Sequence, residues 1–395
     1  HYNKGCVDMT NLLERAQGLS GQLVAWRHHL HQIPEVDMDL PQTTAYISSE
    51  LDKMNLTHQI LPNGAGILGE LGQGERTLLL RSDIDALPIK EESGETFAST
   101  NGCMHACGHD LHATVLLGAL SILKAEEETL GGRVRFLFQT GEETMSGAKE
   151  VVRQGHLEGV DAAFAAHAIA QIPVGVFCYG EHAMASCTNF AIHVQGQGGH
   201  GSMPNECIDP IHAGVHTYLA LEELIARECG GTEEVVLTIG SFNAGVSSNI
   251  IPDSAELQGT LRAFDLEKRD YMIARIQEIL QGVDLMSRTK SSFEILNNAD
   301  DVRCDKAFME ECVQSIHALN PNFHTLEMLH GLASEDFAAI SQVVPTCYLT
   351  FGAAVGDGKG ASQHNPHVRF NDKALPIGVA LYVQVAHDYF KNHKA

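Results

Sequence analysis

The sequence predicts an α/β protein in which a mostly parallel sheet, built from both ends of the chain, is interrupted by an inserted α+β domain. Three observations carry this. Short apolar runs alternate with helical patterns up to residue 186 and again from residue 299 onward. Residues 187–298 have a different texture, with alternating strands around two long helices. Finally, several flanking runs are apolar throughout, as strands covered on both faces must be.

"TLLLRSD" (77–83) reads as a buried strand and "DLHATVLLGALSILKAEEE" (110–128) as an amphipathic helix. "RVRFLFQT" (133–140) and "DAAFAAH" (161–167) read as further strands, with a helix near 146–155 between them. In the insertion, "TNFAIHVQG" alternates, the glycine-rich turn "GQGGHGSMP" follows, and a helix is expected near 209–228. "EEVVLTIGSF" and "SAELQGTLRAF" then precede a helix near 265–283, a β-α-β-β-α order. A helix near 305–318, the apolar strand "PTCYLTFG" and a closing helix at 373–390 complete the first domain.

At 395 residues and 44% hydrophobic, the chain can bury the cores of two or three domains. Its 26 basic against 50 acidic residues, a net charge of −24, argue against a nucleic-acid partner. No apolar run approaches the ~18 residues of a membrane span, and the opening "HYNKGCVDMT" has no apolar signal core. Ten cysteines at irregular spacings are unlike a small disulfide scaffold, so a reducing cytoplasm is expected.

Chemically unusual residues fall where the parallel strands end. Asp83 and Asp85 follow "LLLR", Glu142 and Glu143 follow "FLFQTG", and His167 closes "AAFAA". Open α/β sheets bind ligands at the carboxyl ends of their strands. "ACGH" opens the helix at 110, where backbone N–H groups favour an anion such as a thiolate. Taken singly, "GEE" is compatible with a solvated turn, His167 with a satisfied core histidine, and "QHNPH" (363–367) with a proline turn. Cys103 and Cys107 have the wrong spacing for a zinc knuckle, and no second pair follows. Together, a thiolate, imidazoles and carboxylates at one sheet edge suit a two-metal hydrolytic site. The two adjacent glutamates would divide the work, one binding metal and the other free as general base.

At these residues the sequence resembles the M20 metallopeptidase/amidohydrolase family, in its aminoacylase–hippuricase–auxin-conjugate hydrolase branch. The matching stretches run nearly end to end: "RHHLHQIPE" (27–35), "LRSDIDALPI" (80–89), "MHACGHDLH" (104–112), "QTGEE" (139–143), "GGHGSMP" (198–204), "SNIIPDSAELQGTLR" (248–262), "SEDF" (334–337) and "QHNPH" (363–367). The resemblance implies two divalent cations, zinc or manganese, cobalt or nickel, held by Cys107, His109, Glu143, His167 and His364, with Cys107 bridging. It implies Glu142 as general base, and Asp83 and Asp85 as acids that orient ligands, a structural ion pair being the alternative for each. His200 would approach the substrate carbonyl with Asn249, and Arg262 would hold a substrate carboxylate, the bland alternative being a solvent-facing strand arginine. His105, His112 and His367 are left out of the ligand set.

The implied architecture is a catalytic metal-binding domain of residues 1–186 and 299–395 with a lid and dimerisation domain of residues 187–298. The implied reaction is hydrolysis of an N-acyl-amino acid to a carboxylate and a free amino acid. A dipeptidase or aminopeptidase on the same scaffold, or a silent metal or ligand binder, are the alternatives. A small-molecule substrate, a homodimer with His200 supplied across it, and neither nucleic acid nor membrane are the expected partners. Two departures touch substrate-side or packing details: "VDMDLPQTT" carries Asp39 and Pro41, and His367 stands where many relatives have an aromatic residue.

Overall fold

The computed structural model describes residues 12–327, 332–356, 358 and 360–394. The opening segment read above for a signal core lies outside them. The chain divides into two compact units, one of His1–Ala183, Arg303–Leu329 and Asp336–Ala395, the other of Met184–Val302 and His330–Glu335.

The first unit is built on an eight-stranded sheet. In spatial order its strands are His58–Ile60, Gly66–Gly72, Arg133–Gln139, Thr77–Asp83, Ala162–Ile169, Thr346–Gly352, Val176–Tyr179 and His324–Glu327. The central pairs are parallel, and the four strands expected outside the insertion all lie in this sheet. Thr77–Asp83 is buried along its whole length, which is why its sequence shows no alternation. The sheet also holds antiparallel neighbours that the sequence reading did not isolate, among them Gly66–Gly72, whose glycines weaken a strand pattern.

The helix His109–Ala125 is buried on nearly every face. At Gly118 a side-chain Cβ would lie 2.5 Å from Val379 and 2.7 Å from Leu23, so the crossing with helices Ser20–Gln32 and Ala374–Asn392 needs a glycine. Each fully buried leucine of the His109 helix contributes roughly 1.5–3 kcal/mol. Pro41 begins the helix Pro41–Lys53, where a missing N–H costs nothing. The next N–H groups, of Gln42 and Thr43, donate to the Glu35 carboxylate at 3.0 and 2.9 Å.

Pairing between Thr77–Asp83 and Ala162–Ile169 runs from Leu78↔Ala162 to Arg81↔Ala165. There the Tyr382 hydroxyl comes between the strands, donating to the Arg81 carbonyl and accepting from the Ala166 N–H, each at 2.9 Å. Beyond this wedge Asp83 and His167 stand on strands that no longer pair with each other.

The second unit is a four-stranded antiparallel sheet in the order Val235–Ala244, Ser254–Ala263, Ser186–Gln195, Lys290–Ala299. Phe190, Ile192, Val194, Leu257 and Leu261 pack against helices Pro210–Glu228 and Leu266–Ser287 through Leu221, Leu224, Met272, Ile276 and Leu280. Asp209 and Asp265 cap the two helices by accepting their first free N–H groups. Lys290–Ala299 extends the expected β-α-β-β-α order by one strand. It is an edge strand with mostly exposed residues, so little apolar pattern marks it in the sequence. No helix among the described residues is long and apolar enough to cross a membrane.

Candidate metal centre

The carboxyl edge of the first unit's sheet gathers Asp83, Asp85, Glu142, Glu143 and His167 from three strand ends. Cys107 is delivered by the turn into the His109–Ala125 helix. Gly108 in that turn has φ 93°, and a Cβ there would meet the Phe370 ring at 3.0 Å, so both conformation and space require glycine. His364 comes from the loop after Thr346–Gly352, itself at φ 62°, with its N–H on the Ala106 carbonyl at 3.0 Å. That bond ties the His364 loop to the Cys107 turn.

Two donor sets share the Cys107 sulfur: Cys107, His109 and His167, and Cys107, Glu143 and His364. Cys107 Sγ lies 3.4 Å from His167 Nε2, and His364 Nε2 lies 3.3 Å from Glu143 Oε1. Two ligand atoms on one tetrahedral cation, at about 2.0–2.3 Å each, stand roughly 3.3–3.6 Å apart. His109 Nε2, 4.0 Å from Glu143 Oε1, is buried and has no hydrogen-bond partner among the described residues. Buried polar atoms are almost always satisfied. A cation held by Cys107, His109 and His167 would satisfy it.

The other ring nitrogens fix which lone pairs are presented. His109 Nδ1 donates to the Asp85 carbonyl at 2.9 Å and His167 Nδ1 to the Ala168 carbonyl at 2.8 Å, so each turns Nε2 toward the sulfur and carboxylates. Asp85 also accepts the Glu143 N–H at 3.0 Å, so it braces a candidate donor from each of two segments. His112, by contrast, has both nitrogens in use: Nδ1 donates to Asp83 at 2.6 Å and Nε2 accepts the Ala168 N–H at 2.8 Å. It has no lone pair left for a metal. His367 lies over Glu92, on whose carbonyl its Nδ1 sits at 2.8 Å.

The ionisable groups at this edge shift one another strongly. Burial pushes the Cys107 thiol up, and the Glu143 carboxylate adds to this. Burial opposes protonation of His109, but Asp83 and Cys107 outweigh it and hold the imidazole well above its ordinary value. Contact with Cys107 and then Glu143 holds His364 up to about 10. Burial works against the Asp83 carboxylate too, yet His109, His112 and Arg81 keep it well below the usual range. Protons on imidazoles thus balance the acids, the place a divalent cation takes when bound. Glu142 Oε2 lies 3.7 Å from His109 Nε2; it stands outside the two sets that share the thiol, and forms further donor groups with His109 and Glu143 and with Glu335 and Asp336.

Sequence reasoning missed the supports around this edge. Arg81 is fully buried and donates to Asp83 at 2.8 Å, to Asp336 at 2.9 Å and to Gln139 at 3.0 Å. Asp336 also accepts the Ala148 N–H at 2.8 Å. The signal was present, because a buried strand that carries "LRSD" must pair its arginine.

The remaining expected residues belong to the second unit. His200 stands in a short ribbon, paired with Ile250. Its Nδ1 accepts from the Ser202 N–H at 3.1 Å and lies 2.9 Å from the Ser202 hydroxyl, which leaves Nε2 as the protonated, outward donor. Asn249 lies across the ribbon, its carbonyl accepting the Gly201 N–H at 2.9 Å. Arg262 is half-buried and donates to Ser334 at 2.7 Å and to Thr260 at 3.2 Å. It is therefore not simply a solvent-facing strand arginine.

Residues 79–388 match the model of peptidase family M20/M25/M40, and the chain belongs to this family. It is 32% identical over 363 residues to an N-acetyl-L-cysteine deacetylase of Bacillus subtilis (strain 168), covering 90% of this chain and 85% of that protein. It is also 32% identical over 389 residues to the IAA-amino acid hydrolase ILR1-like 4 of Arabidopsis thaliana, covering 94% of this chain and 87% of the relative. A crystal structure of a Bacillus subtilis dinuclear metal-binding peptidase of the M20 family superposes with a TM-score of 0.81 at 28% identity, over 95% of this chain and 99% of that one.

Proposed function

We propose that this chain is a metal-dependent amidohydrolase that cleaves the amide bond of N-acyl-amino acids, releasing a carboxylate and a free amino acid. The observation that carries the reading is the pair of donor sets sharing one thiol. Support also comes from relatives named N-acetyl-L-cysteine deacetylase and IAA-amino acid hydrolase ILR1-like 4. The proposed ligands are Cys107, bridging, with His109, Glu143, His167 and His364. When bound, two divalent cations (zinc, or manganese, cobalt or nickel) would lend Lewis acidity to the scissile carbonyl and lower the pKa of the attacking water.

Glu142 takes the proton of the attacking water as oxygen bonds to the carbonyl carbon. The same carboxyl returns it to the amide nitrogen as the C–N bond breaks, so the products are a carboxylic acid and an amine. Asp83 and Asp85 keep the neighbouring imidazoles oriented. His200, donating through Nε2–H, stabilises the developing oxyanion, with Asn249 beside it. Arg262 offers a planar fork to the substrate carboxylate. Water is the nucleophile, so no acyl-enzyme forms and Cys107 acts only as a ligand.

We assign residues 1–186 and 299–395 to catalysis and 187–298 to a lid that also dimerises the protein. The outer face of the Pro210–Glu228 helix exposes Ile211, Val215, Tyr218 and Leu219, and Val235–Ala244 is an edge strand. A second copy would cover both, and His200 would then act on substrate held by the partner. A cytoplasmic setting suits a thiolate ligand and the free described cysteines. The test is hydrolysis of N-acetyl, N-benzoyl and indole-acetyl amino acids beside dipeptides, followed by chromatography, with zinc, manganese or cobalt added. Glu142→Gln should bind metal normally and lose at least ~100-fold in kcat. Full activity in that variant, or no hydrolysis of any N-acyl-amino acid by the wild type, would overturn the reading.

A further inference from the structure

The stretch "RHHLHQIPE" takes no part in the chemistry above, yet it places two charged side chains deep in the first unit. Arg27 and His31 lie one turn apart on the Ser20–Gln32 helix, and both are almost fully buried. Both converge on one oxygen of Asp110: Arg27 Nε donates to Oδ2 at 3.1 Å, and His31 Nδ1 lies 2.9 Å from it. Asp110 directly follows His109 in the first turn of its helix.

The same two side chains reach other ligand-bearing segments. Arg27 Nη1 donates to the Phe370 carbonyl at 3.0 Å and pairs with Asp372, in the segment that leads away from His364. The Phe370 ring is the group packed over Gly108. His31 Nε2 meets Glu91 Oε1 at 3.0 Å, and Glu91 accepts the Ser99 N–H at 2.6 Å in the loop that leads to Cys107. That loop meets the His364 segment again where the Glu92 N–H donates to the Pro366 carbonyl at 2.8 Å.

Holding a helix against its neighbours does not require this. Desolvation offsets much of what a buried arginine gains from its partners, and apolar residues of similar volume often join elements at least as stably. An apolar contact cannot supply direction. A planar guanidinium with donors on two sides fixes both distance and angle between the segments it bridges.

We propose that Arg27 and His31 are positioning residues for the two-cation centre. Arg27 clamps the Cys107–His109 turn to the His364 segment, and His31 clamps it to the loop that leads to Cys107. Ligands from different segments are thereby held at the spacing one cation accepts. This rests on the two-cation reading above.

The experiment measures cation affinity rather than turnover. The apo forms of wild type, Arg27→Lys and His31→Asn are titrated with cobalt(II) against a chelator, following the visible ligand-field spectrum and the bound stoichiometry. Ile316→Val, a core change remote from the site, is the control for lost stability alone. Orienting groups behind metal ligands are typically worth 10–100-fold in affinity. Both variants should therefore fall by about that factor and show an altered cobalt spectrum, while Ile316→Val keeps the wild-type affinity and spectrum. Affinity within twofold of wild type in folded Arg27→Lys and His31→Asn would overturn the clamp. So would failure of both variants to fold, because the role would then be structural. A wild type that binds no cation would overturn the two-cation reading itself, and the clamp with it.

Discussion

Tyr382→Phe removes one oxygen atom and tests how the sheet makes room for its site. The ring can stay where it is, against Phe164 at a centroid distance of 4.9 Å, so no cavity larger than a hydroxyl opens. What is lost is the partner of two buried backbone groups, the Arg81 carbonyl and the Ala166 N–H. An unsatisfied buried polar group costs about 1–3 kcal/mol, which makes roughly 2–6 kcal/mol for the pair. At about 2 °C per kcal/mol for a larger domain, Tm should fall by roughly 4–12 °C. The chain has one way to avoid that cost. The strands could close and pair Arg81 with Ala166 directly, but this would draw Asp83 and His167 out of place. Thermal unfolding of the apo protein and cobalt titration should therefore show a loss in at least one measurement. Unchanged Tm together with unchanged cation affinity would refute the wedge.

Two further outcomes are expected. Burial disfavours charged His31, but Asp110 outweighs it, with Glu91 helping, and raises the imidazole from 6.5 to about 9. Its folded value exceeds its unfolded one, so this contribution is fully present below pH 6.5 and is lost as pH rises through 9. It amounts to about 3 kcal/mol at most, and urea unfolding at a series of pH values should show that slope in the wild type and its absence in His31→Gln. The proposed dimer predicts that inactive Glu142→Ala and His200→Ala proteins regain activity when their subunits exchange, since one mixed site then holds both residues. No recovery despite demonstrated exchange would place His200 in its own subunit's site or outside catalysis.

Much of this was legible because the periodic signals are strong where the core is deep. "TLLLRSD" reads as a buried strand and "DAAFAAH" as a further strand, and the polar residues at their ends mark a sheet edge. Weakly patterned elements escaped, such as Lys290–Ala299, whose exposed residues leave little apolar period to find. The wedge could not be read at all. Nothing local to Tyr382 says that its hydroxyl will stand between two strands some 200 residues and 300 residues away. Arg27 and His31 were visible as a motif, but their meaning depends on Asp110, Glu91 and Phe370, which only the folded chain assembles.

The histidines show why residue type alone does not define the centre. His105, His109, His112 and His167 are all buried near one another, and each could be written into a ligand list. Their surroundings separate them. His109 and His167 each give Nδ1–H to a main-chain carbonyl and keep Nε2 available on the side of the Cys107 sulfur. His112 uses both nitrogens to bridge Asp83 and Ala168, across the gap that Tyr382 opens. Burial drives His105 down to about 3, so it stays neutral and adds no positive charge beside the proposed cations. An imidazole becomes a ligand candidate here when the backbone has already claimed its other nitrogen, and a brace when a carboxylate and an N–H have claimed both. The same accounting gives Cys107 its place. Its sulfur is the one donor common to both sets, so changing it to alanine would remove a ligand from each proposed cation at once, whereas loss of His167 or His364 would remove one.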